Sequence, residues 1–164
     1  MEIRRLFDFL DHVEHDLPER PDVLARSKGG VWTCVSTKEF VSKSWSVARG
    51  LLEMGYGKGT KIINISANRP EWNFIDMGTA LAGMIHIPVY STLSHDDYLY
   101  IFDHSDAELI FIDNEKLCAK IEPVVKEVGR DIRIVLLDDS DSMFCFRQLC
   151  EAGDAAAAKW DPVL

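Results

Sequence analysis

The sequence lacks a long apolar run. No stretch approaches the roughly 20 consecutive apolar residues that a membrane helix needs. The opening segment, MEIRRLFDFLDHVEHD, carries too many charges for a secretory signal peptide. No C-x-x-C pair occurs among the four cysteines, so we expect free thiols instead of a disulfide framework or a zinc site. These absences together predict a cytoplasmic protein.

Positive charge is also scarce. The chain has 18 lysines and arginines against 27 aspartates and glutamates, which gives a formal net charge of −9 with neutral histidines. Nucleic acids and anionic membranes are both recognised through basic surfaces. The charge therefore excludes nucleic acid as the main partner and leaves at most a peripheral membrane contact. A hydrophobic fraction of 47% over 164 residues is sufficient for a cored globular domain.

Apolar runs alternate with amphipathic segments from Lys61 onward. Helical patterns begin near Glu71, Ser94 and Glu115. Strands that alternate with helices of about 10 to 15 residues predict βαβ units. We therefore expect an α/β fold with an open, mostly parallel sheet and helices on both faces. The four predicted strands are residues 61–66, 85–90, 109–113 and 132–137.

The first 60 residues follow a different pattern. VLARS and VWTCV flank Lys28-Gly29-Gly30, which is a hairpin signal. Ser36 to Glu39 forms a capping box that opens a helix ended by Gly55. We therefore divide the chain into a helix and hairpin region, residues 1–60, and a βαβ region, residues 61–142, followed by a short helix at about 143–152.

Glycines are missing where a phosphate-binding loop would need them. An open parallel sheet binds ligands beyond the carboxyl ends of its strands. Backbone N–H groups close on a phosphate only where several glycines keep side chains away. None of the four strand-to-helix junctions is rich in glycine, and Gly55-Tyr-Gly57-Lys-Gly59 precedes a strand instead of following one. The sequence therefore contains neither a dinucleotide fingerprint nor a P-loop.

The titratable residues near these junctions have structural explanations. The histidines at 86, 95 and 104 fall on different elements and lack the i, i+4 spacing of a helical metal pair. The aspartates of segment 138–141 are interpreted as part of a solvated turn. We therefore predict no metal site and no catalytic residue.

The heptapeptide SANRPEW, residues 66–72, occupies the first of these junctions. We expect Asn68 to cap the following helix, Pro70 to fix φ in its first turn, and Trp72 to pack the helix on the sheet. The heptapeptide is therefore predicted to be a structural junction.

The segment GYGKGTKIINISANRPEWNFIDMGTALAGMIHIPVYSTLSHDDYLYIFDHSDAELIFID resembles the N-terminal part of long-chain acyl-CoA synthetases. These enzymes are AMP-forming, adenylate-forming ligases. S-x-N-R-P-E-W, G-x-x-x-x-P-x-Y, Y-S-T-L-S and H-S-D-A-E occur in the family's order, and the resemblance covers about residues 7–140.

The resemblance implies a ligase that uses ATP, Mg²⁺ and coenzyme A to convert a fatty acid to its acyl-CoA through an acyl-adenylate. The family's phosphate loop, T-S-G-T-T-G-x-P-K-G, and its adenine-binding Y-G-x-T-E segment do not occur here. We therefore expect residues 1–164 to be an N-terminal subdomain of such a ligase. By itself it should be inactive, and it should self-associate through apolar surface.

The resemblance also implies one ligand contact within this chain. Coenzyme A phosphates are expected to approach Ser94, at a helix N-terminus, with Lys116 and Lys120 on the next helix. The residues alone leave two other functional classes possible. One is a stand-alone α/β module that binds a small ligand or a nucleotide, and the other is a dimerisation domain without a ligand.

Overall fold

A four-stranded parallel sheet with helices on both faces forms the centre of the fold. The structure, a computed structural model, describes residues 3–161. The strands are β1 Leu24–Lys28, β2 Val31–Val35, β3 Lys61–Ile65, β4 Ile85–Val89, β5 Leu109–Ile112 and β6 Arg133–Leu136. The helices are α1 Asp8–Asp16, α2 Thr37–Glu53, α3 Pro70–Leu81, α4 His95–Ser105, α5 Glu115–Val128, α6 Phe146–Ala155 and α7 Ala157–Trp160.

The central sheet has the order β4-β3-β5-β6, and each neighbouring pair is parallel. The predicted α/β fold with an open parallel sheet is therefore confirmed, and the four predicted strands agree with the observed ones within one residue at each end. β3 is central because it is hydrogen-bonded to both β4 and β5. As in other parallel sheets, all four strands end at the same edge.

Two apolar cores cover the sheet, one on each face. Ile62, Leu109 and Phe111 face a core built with α2, α3 and α6. Ile63 and Ile110 face the opposite core, which α4 and α5 complete. All four residues of β5 are fully buried, which explains why its sequence, LIFI, is apolar throughout.

The hairpin of β1 and β2 is separate from this sheet. Lys28 pairs with Val31, so the loop contains only Gly29 and Gly30. Their φ angles of +60° and +80° fit a turn that needs two residues with positive φ, which glycine adopts without strain. The predicted hairpin is therefore confirmed.

The last long helix begins three residues later than predicted, at Phe146. The reason is that the segment before it continues the sheet. The backbone N–H of Leu136 donates to the carbonyl of Phe144, and Leu136 and Cys145 form a parallel bridge at the outer edge of β6. These contacts keep Cys145 extended (φ −126°, ψ 167°), so the helix begins only after it.

Glycines allow α2 and α6 to cross closely. A Cβ on Gly153 would lie 2.8 Å from the backbone nitrogen of Gly50 and would overlap the carbonyl oxygen of Ser46. This crossing brings α6 onto the same core as α3.

Replacing Gly153 by alanine should therefore destabilise the fold by about 1–3 kcal/mol, because backbone atoms have to move. Urea unfolding measures the change. Gly57→Ala is the matched control, since a Cβ there meets no atom within 4 Å. A Gly153→Ala variant as stable as the parent would show that the crossing is not tight.

Candidate functional site

Arg69 lies at the carboxyl edge of the sheet, four residues after the end of β3. Its backbone is extended (φ −152°, ψ 153°), and Pro70 occupies the first turn of α3. Extended backbone before proline is the sterically favoured conformation. The side chain is only 5% exposed, and it extends towards the ends of β5 and β6. A fully ionised side chain this deeply buried requires charged partners.

Three carboxylates surround the Arg69 guanidinium. Nε and Nη2 donate to the two carboxylate oxygens of Glu71, at 2.9 and 3.0 Å. Nη1 donates to Asp113 at 2.8 Å and to Asp138 at 2.9 Å. The carbonyl oxygens of Asp113 and Leu137 lie at 3.3 and 3.4 Å from Nη1 and Nη2. We call Arg69, Glu71, Asp113 and Asp138 the arginine cluster.

The charges of the arginine cluster stabilise one another. Burial lowers the pKa of Arg69, but the hydrogen bonds that its guanidinium donates to Glu71, Asp113 and Asp138 outweigh burial and raise that pKa above its ordinary value. Burial raises the pKa of Glu71, yet its hydrogen bonds with Arg69 hold that pKa below the ordinary 4.5. One positive and three negative side chains leave this edge negative, which disfavours a triphosphate.

SANRPEW is thus a structural junction, but not in the predicted way. Arg69, instead of Asn68, is the N-cap residue of α3, and the helix has no side-chain cap. The prediction for Asn68 was wrong because the helix begins at Pro70, so that the extended residue directly before it is Arg69. Pro70 does occupy the first turn, and Trp72 does pack α3 on β4, with its ring 5.1 Å from the His86 ring.

Two clefts open beside the arginine cluster. The first, of about 310 Å³, lies between the ends of β3 and β4. It is lined by Ser66, Asn68, Trp72, Pro88, Val89 and Tyr90. The second, of about 350 Å³, lies between α3 and the hairpin and shares Asn68 and Trp72 with the first. We call the first one the Trp72 cleft.

The predicted coenzyme A residues are only partly brought together. Lys120 Nζ donates to the carbonyl of Leu93 at 2.7 Å, so it lies at the start of α4. The backbone N–H of Ser94 donates to the Asp97 carboxylate at 3.2 Å in a reciprocal capping box. This N–H group is therefore already paired within the first turn of α4. Lys116 is exposed, and its side chain makes no hydrogen bond or ion pair within residues 3–161.

The arginine cluster does not have the features of a phosphate-binding site. The arginine cluster lacks the glycine-lined backbone that a triphosphate requires, and its guanidinium already binds three carboxylates. No group of three or more His, Cys, Asp or Glu side chains between residues 3 and 161 is arranged to hold a metal ion. No step of ATP chemistry can therefore be assigned to these residues. Over the same range, no helix has both the length and the apolar character needed to cross a membrane.

Sequence reasoning missed Arg69 as the centre of this edge. The available signal was the position of charges relative to strand ends. Arg69 follows β3, Asp113 follows β5 and Asp138 comes two residues after β6, and parallel strands end at one edge. The aspartates of 138–141 had been interpreted as a solvated turn, whereas Asp138 binds Arg69.

Comparison with known proteins identifies the family. The sequence profile of the AMP-binding enzyme family matches residues 13–161. The chain therefore belongs to the AMP-binding enzymes. It is similar to the long-chain-fatty-acid–CoA ligase FadD15 of Mycobacterium tuberculosis, with 29% identity over 142 residues, which are 85% of this chain and 23% of that protein. It is also 25% identical to fatty acyl-CoA synthetase A of Dictyostelium discoideum over 118 residues, which are 72% of this chain and 17% of that protein.

Solved structures share the fold at low sequence identity. A benzoate CoA ligase from Burkholderia xenovorans LB400 superposes with a TM-score of 0.74 at 15% identity, over 92% of this chain and 29% of that chain. The luciferase-like enzyme of the mealworm Zophobas morio gives a TM-score of 0.78 at 16% identity, over 89% of this chain and 33% of that chain. The chain thus spans about a quarter or less of the curated relatives described above.

The arginine cluster predicts a defined response to acid. Because the folded-state pKa of Glu71 lies below 4.5, its carboxylate stabilises the fold above that pH, and this contribution is lost as pH falls through the folded-state pKa. Glu71→Gln should cost about 1–2 kcal/mol at pH 7. The difference from the parent should shrink below about pH 4. Urea unfolding at several pH values measures it.

Glu14→Gln, an exposed carboxylate on α1, is the matched control and should change stability by less than about 0.5 kcal/mol. A Glu71→Gln difference that stays constant from pH 7 down to about pH 3 would contradict the assignment.

Proposed function

We propose that this chain is the N-terminal part of an AMP-forming long-chain fatty acid–CoA ligase. Such a ligase converts ATP, a fatty acid and coenzyme A to acyl-CoA, AMP and diphosphate. The observation that carries the proposal is the similarity to a long-chain-fatty-acid–CoA ligase along 85% of the chain. The order of the S-x-N-R-P-E-W, G-x-x-x-x-P-x-Y and H-S-D-A-E segments supports it.

In this proposal the described residues are a scaffold. ATP and Mg²⁺ belong to segments of the ligase with the glycine-rich phosphate loop, and the arginine cluster holds together the sheet on which those segments pack. The division into residues 1–60 and 61–142, as parts of one N-terminal subdomain, belongs to the same proposal. So do the cytoplasmic location and a membrane contact that is at most peripheral.

Sequencing the transcript beyond codon 164 tests the proposal. The reading frame should continue into a T-S-G-T-T-G-x-P-K-G segment. An in-frame stop codon directly after Leu164 would instead favour a stand-alone binding module or a dimerisation domain.

The 164-residue chain should not activate fatty acids on its own. Reaction at the phosphates of ATP requires groups that position them and neutralise their charge. At the carboxyl edge of the sheet the one arginine described there, Arg69, is already bound by three carboxylates. Fatty-acid-dependent exchange of labelled pyrophosphate into ATP should therefore stay at background. Exchange that persists through repurification, and is lost on heating the chain, would contradict the scaffold role.

Contact between coenzyme A and Ser94, Lys116 and Lys120 stays a prediction. The ammonium group of Lys116 supports it, because no described side chain binds that group, whereas Lys120 would have to leave the Leu93 carbonyl. Lys116→Ala with Lys120→Ala should weaken coenzyme A binding at least about fivefold, as expected for lost charge-assisted contacts. Calorimetric titration measures this, with Lys38→Ala and Lys43→Ala on α2 as the charge-matched control. Equal affinities in both double variants, or no binding to the parent, would remove the site.

Self-association is the remaining part of the proposal. Exposed apolar side chains such as Trp32 and Tyr90, at 69% and 81% exposure, support it. Sedimentation velocity over a range of concentrations tests it, and a monomer throughout would contradict it.

A further inference from the structure

A row of polar side chains is buried where α3 covers β3 and β4. Side chains alternate between the faces of a strand, so Asn64 and Ser66 share the face of Ile62, which belongs to the core built with α3. His86 is the partner of Ile62 in β4. Asn64 is 1% exposed, and the side chain of His86 is 6% exposed. We call Asn64, Ser66 and His86 the polar row.

Four buried atoms of the polar row have no hydrogen-bond partner among residues 3–161. They are Asn64 Oδ1 and Nδ2, Ser66 Oγ and His86 Nε2. Native proteins leave few such groups, because each one loses the hydrogen bonds that it would make to water. The other ring nitrogen of His86 is paired, since Nδ1 lies 2.8 Å from the Asp76 carboxylate on α3. The polar row therefore holds α3 and the strands together less strongly than an apolar contact of the same area would.

β4 has little apolar contact with α3. Among the described residues, β4 contributes none to the core on the side of α3. Its apolar residues Ile87 and Val89 belong to the opposite core, and the alternation of side chains leaves His86 and Pro88 on the side of α3. β4 is also an edge strand, with β3 as its one neighbour in the sheet. A single ladder of backbone hydrogen bonds and a mostly polar contact therefore hold this side of β4.

α3, in contrast, is held firmly by other elements. A Cβ on Gly78 would lie 2.6 Å from the side chain of Val47, so α3 and α2 are in close contact. The ring of Phe74 stacks on that of Phe146 in α6, with 6.3 Å between the ring centroids. Arg69 binds the start of α3 to the ends of β5 and β6. If α3 and β4 separate, β4 is therefore the element that moves.

The connection between α3 and β4 determines where a separation is widest. Residues 82–84 alone join the end of α3 at Leu81 to the start of β4 at Ile85, so the two elements stay together at this end. The Trp72 cleft lies at the other end, where Trp72 of α3 faces the carboxyl end of β4. A separation therefore widens the Trp72 cleft and brings the polar row into contact with water.

We propose that the contact between α3 and β4 is a seam that opens and closes while the rest of the fold stays intact, and that its opening widens the Trp72 cleft. The four unpaired atoms gain hydrogen bonds to water when the seam opens, which lowers the free energy of opening. Openings of this kind involve a part of a fold and need less free energy than global unfolding. The seam goes beyond the proposed ligase function and does not depend on it.

Labelling of His86 with diethyl pyrocarbonate, read by mass spectrometry of the 164-residue chain, tests the proposal. Because Nδ1 donates to a carboxylate, Nε2 carries the lone pair that attacks the reagent, and it is buried until the seam opens. His15, with a side chain 79% exposed, is the reference for reagent activity. His86 should be labelled well below the urea concentration of global unfolding. Its rate should depend only weakly on urea, because a local opening exposes little surface.

Asn64→Leu keeps the approximate shape of the side chain and removes two of the unpaired atoms. The closed seam should therefore be more stable in this variant. We expect the labelling rate of His86 to fall at least about fivefold, while the rate of His15 stays unchanged. Ser66→Ala removes one unpaired atom and should lower the rate of His86 at least about threefold.

Ser44→Ala is the matched control, since the buried hydroxyl of Ser44 donates to the carbonyl of Phe40 at 2.8 Å. It removes a paired group and should not slow the labelling of His86. Ser66→Ala decides alone if Asn64→Leu does not fold. The proposal is overturned if labelling of His86 rises with urea as steeply as global unfolding does. It is equally overturned if neither variant of the polar row slows the labelling, or if Ser44→Ala slows it as much.

Discussion

The buried guanidinium of Arg69 connects the ends of three parallel strands. It follows β3 and binds Asp113 after β5 and Asp138 after β6, so it spans two interstrand spacings of about 4.8 Å each. Only a long side chain with several fixed donors can reach this far and bind on several sides, which is why lysine would not be equivalent. Backbone hydrogen bonds hold the strands side by side, and Arg69 fixes how the chain leaves them.

This interaction also determines what the edge can bind. Open parallel sheets usually bind ligands beyond the carboxyl ends of their strands. Here the centre of that edge is filled by ion pairs, and the space that is left lies to the side, between β3, β4 and α3. The Trp72 cleft is therefore the part of this edge that has open space beside it. A scaffold role for the arginine cluster is consistent with a ligase whose phosphate loop lies in another segment.

The sequence was sufficient to predict the sheet, because β5 is apolar throughout, its neighbours β3 and β6 are mostly apolar, and the helices between the strands have clear caps at Ser94 and Asn114. The sequence was not sufficient to predict the ion pairs at the carboxyl edge of the sheet. Asp113 and Asp138 are 44 and 69 residues away from Arg69 along the chain. In the sequence, each of these residues resembles an ordinary solvated charge. The ion pairs depend on which strands are neighbours, and that order is a property of the tertiary structure.

A double-mutant cycle between Arg69 and Asp113 tests the central claim most directly. Urea unfolding at pH 7 would compare the parent with Arg69→Met, Asp113→Asn and the double variant. Removing one partner of a buried ion pair leaves the other charge uncompensated and typically costs about 3–5 kcal/mol. If Arg69 joins the strand ends as described, the coupling energy should be at least about 1.5 kcal/mol, in the upper part of the range for residues in contact. Effects that add within about 0.5 kcal/mol would contradict the account.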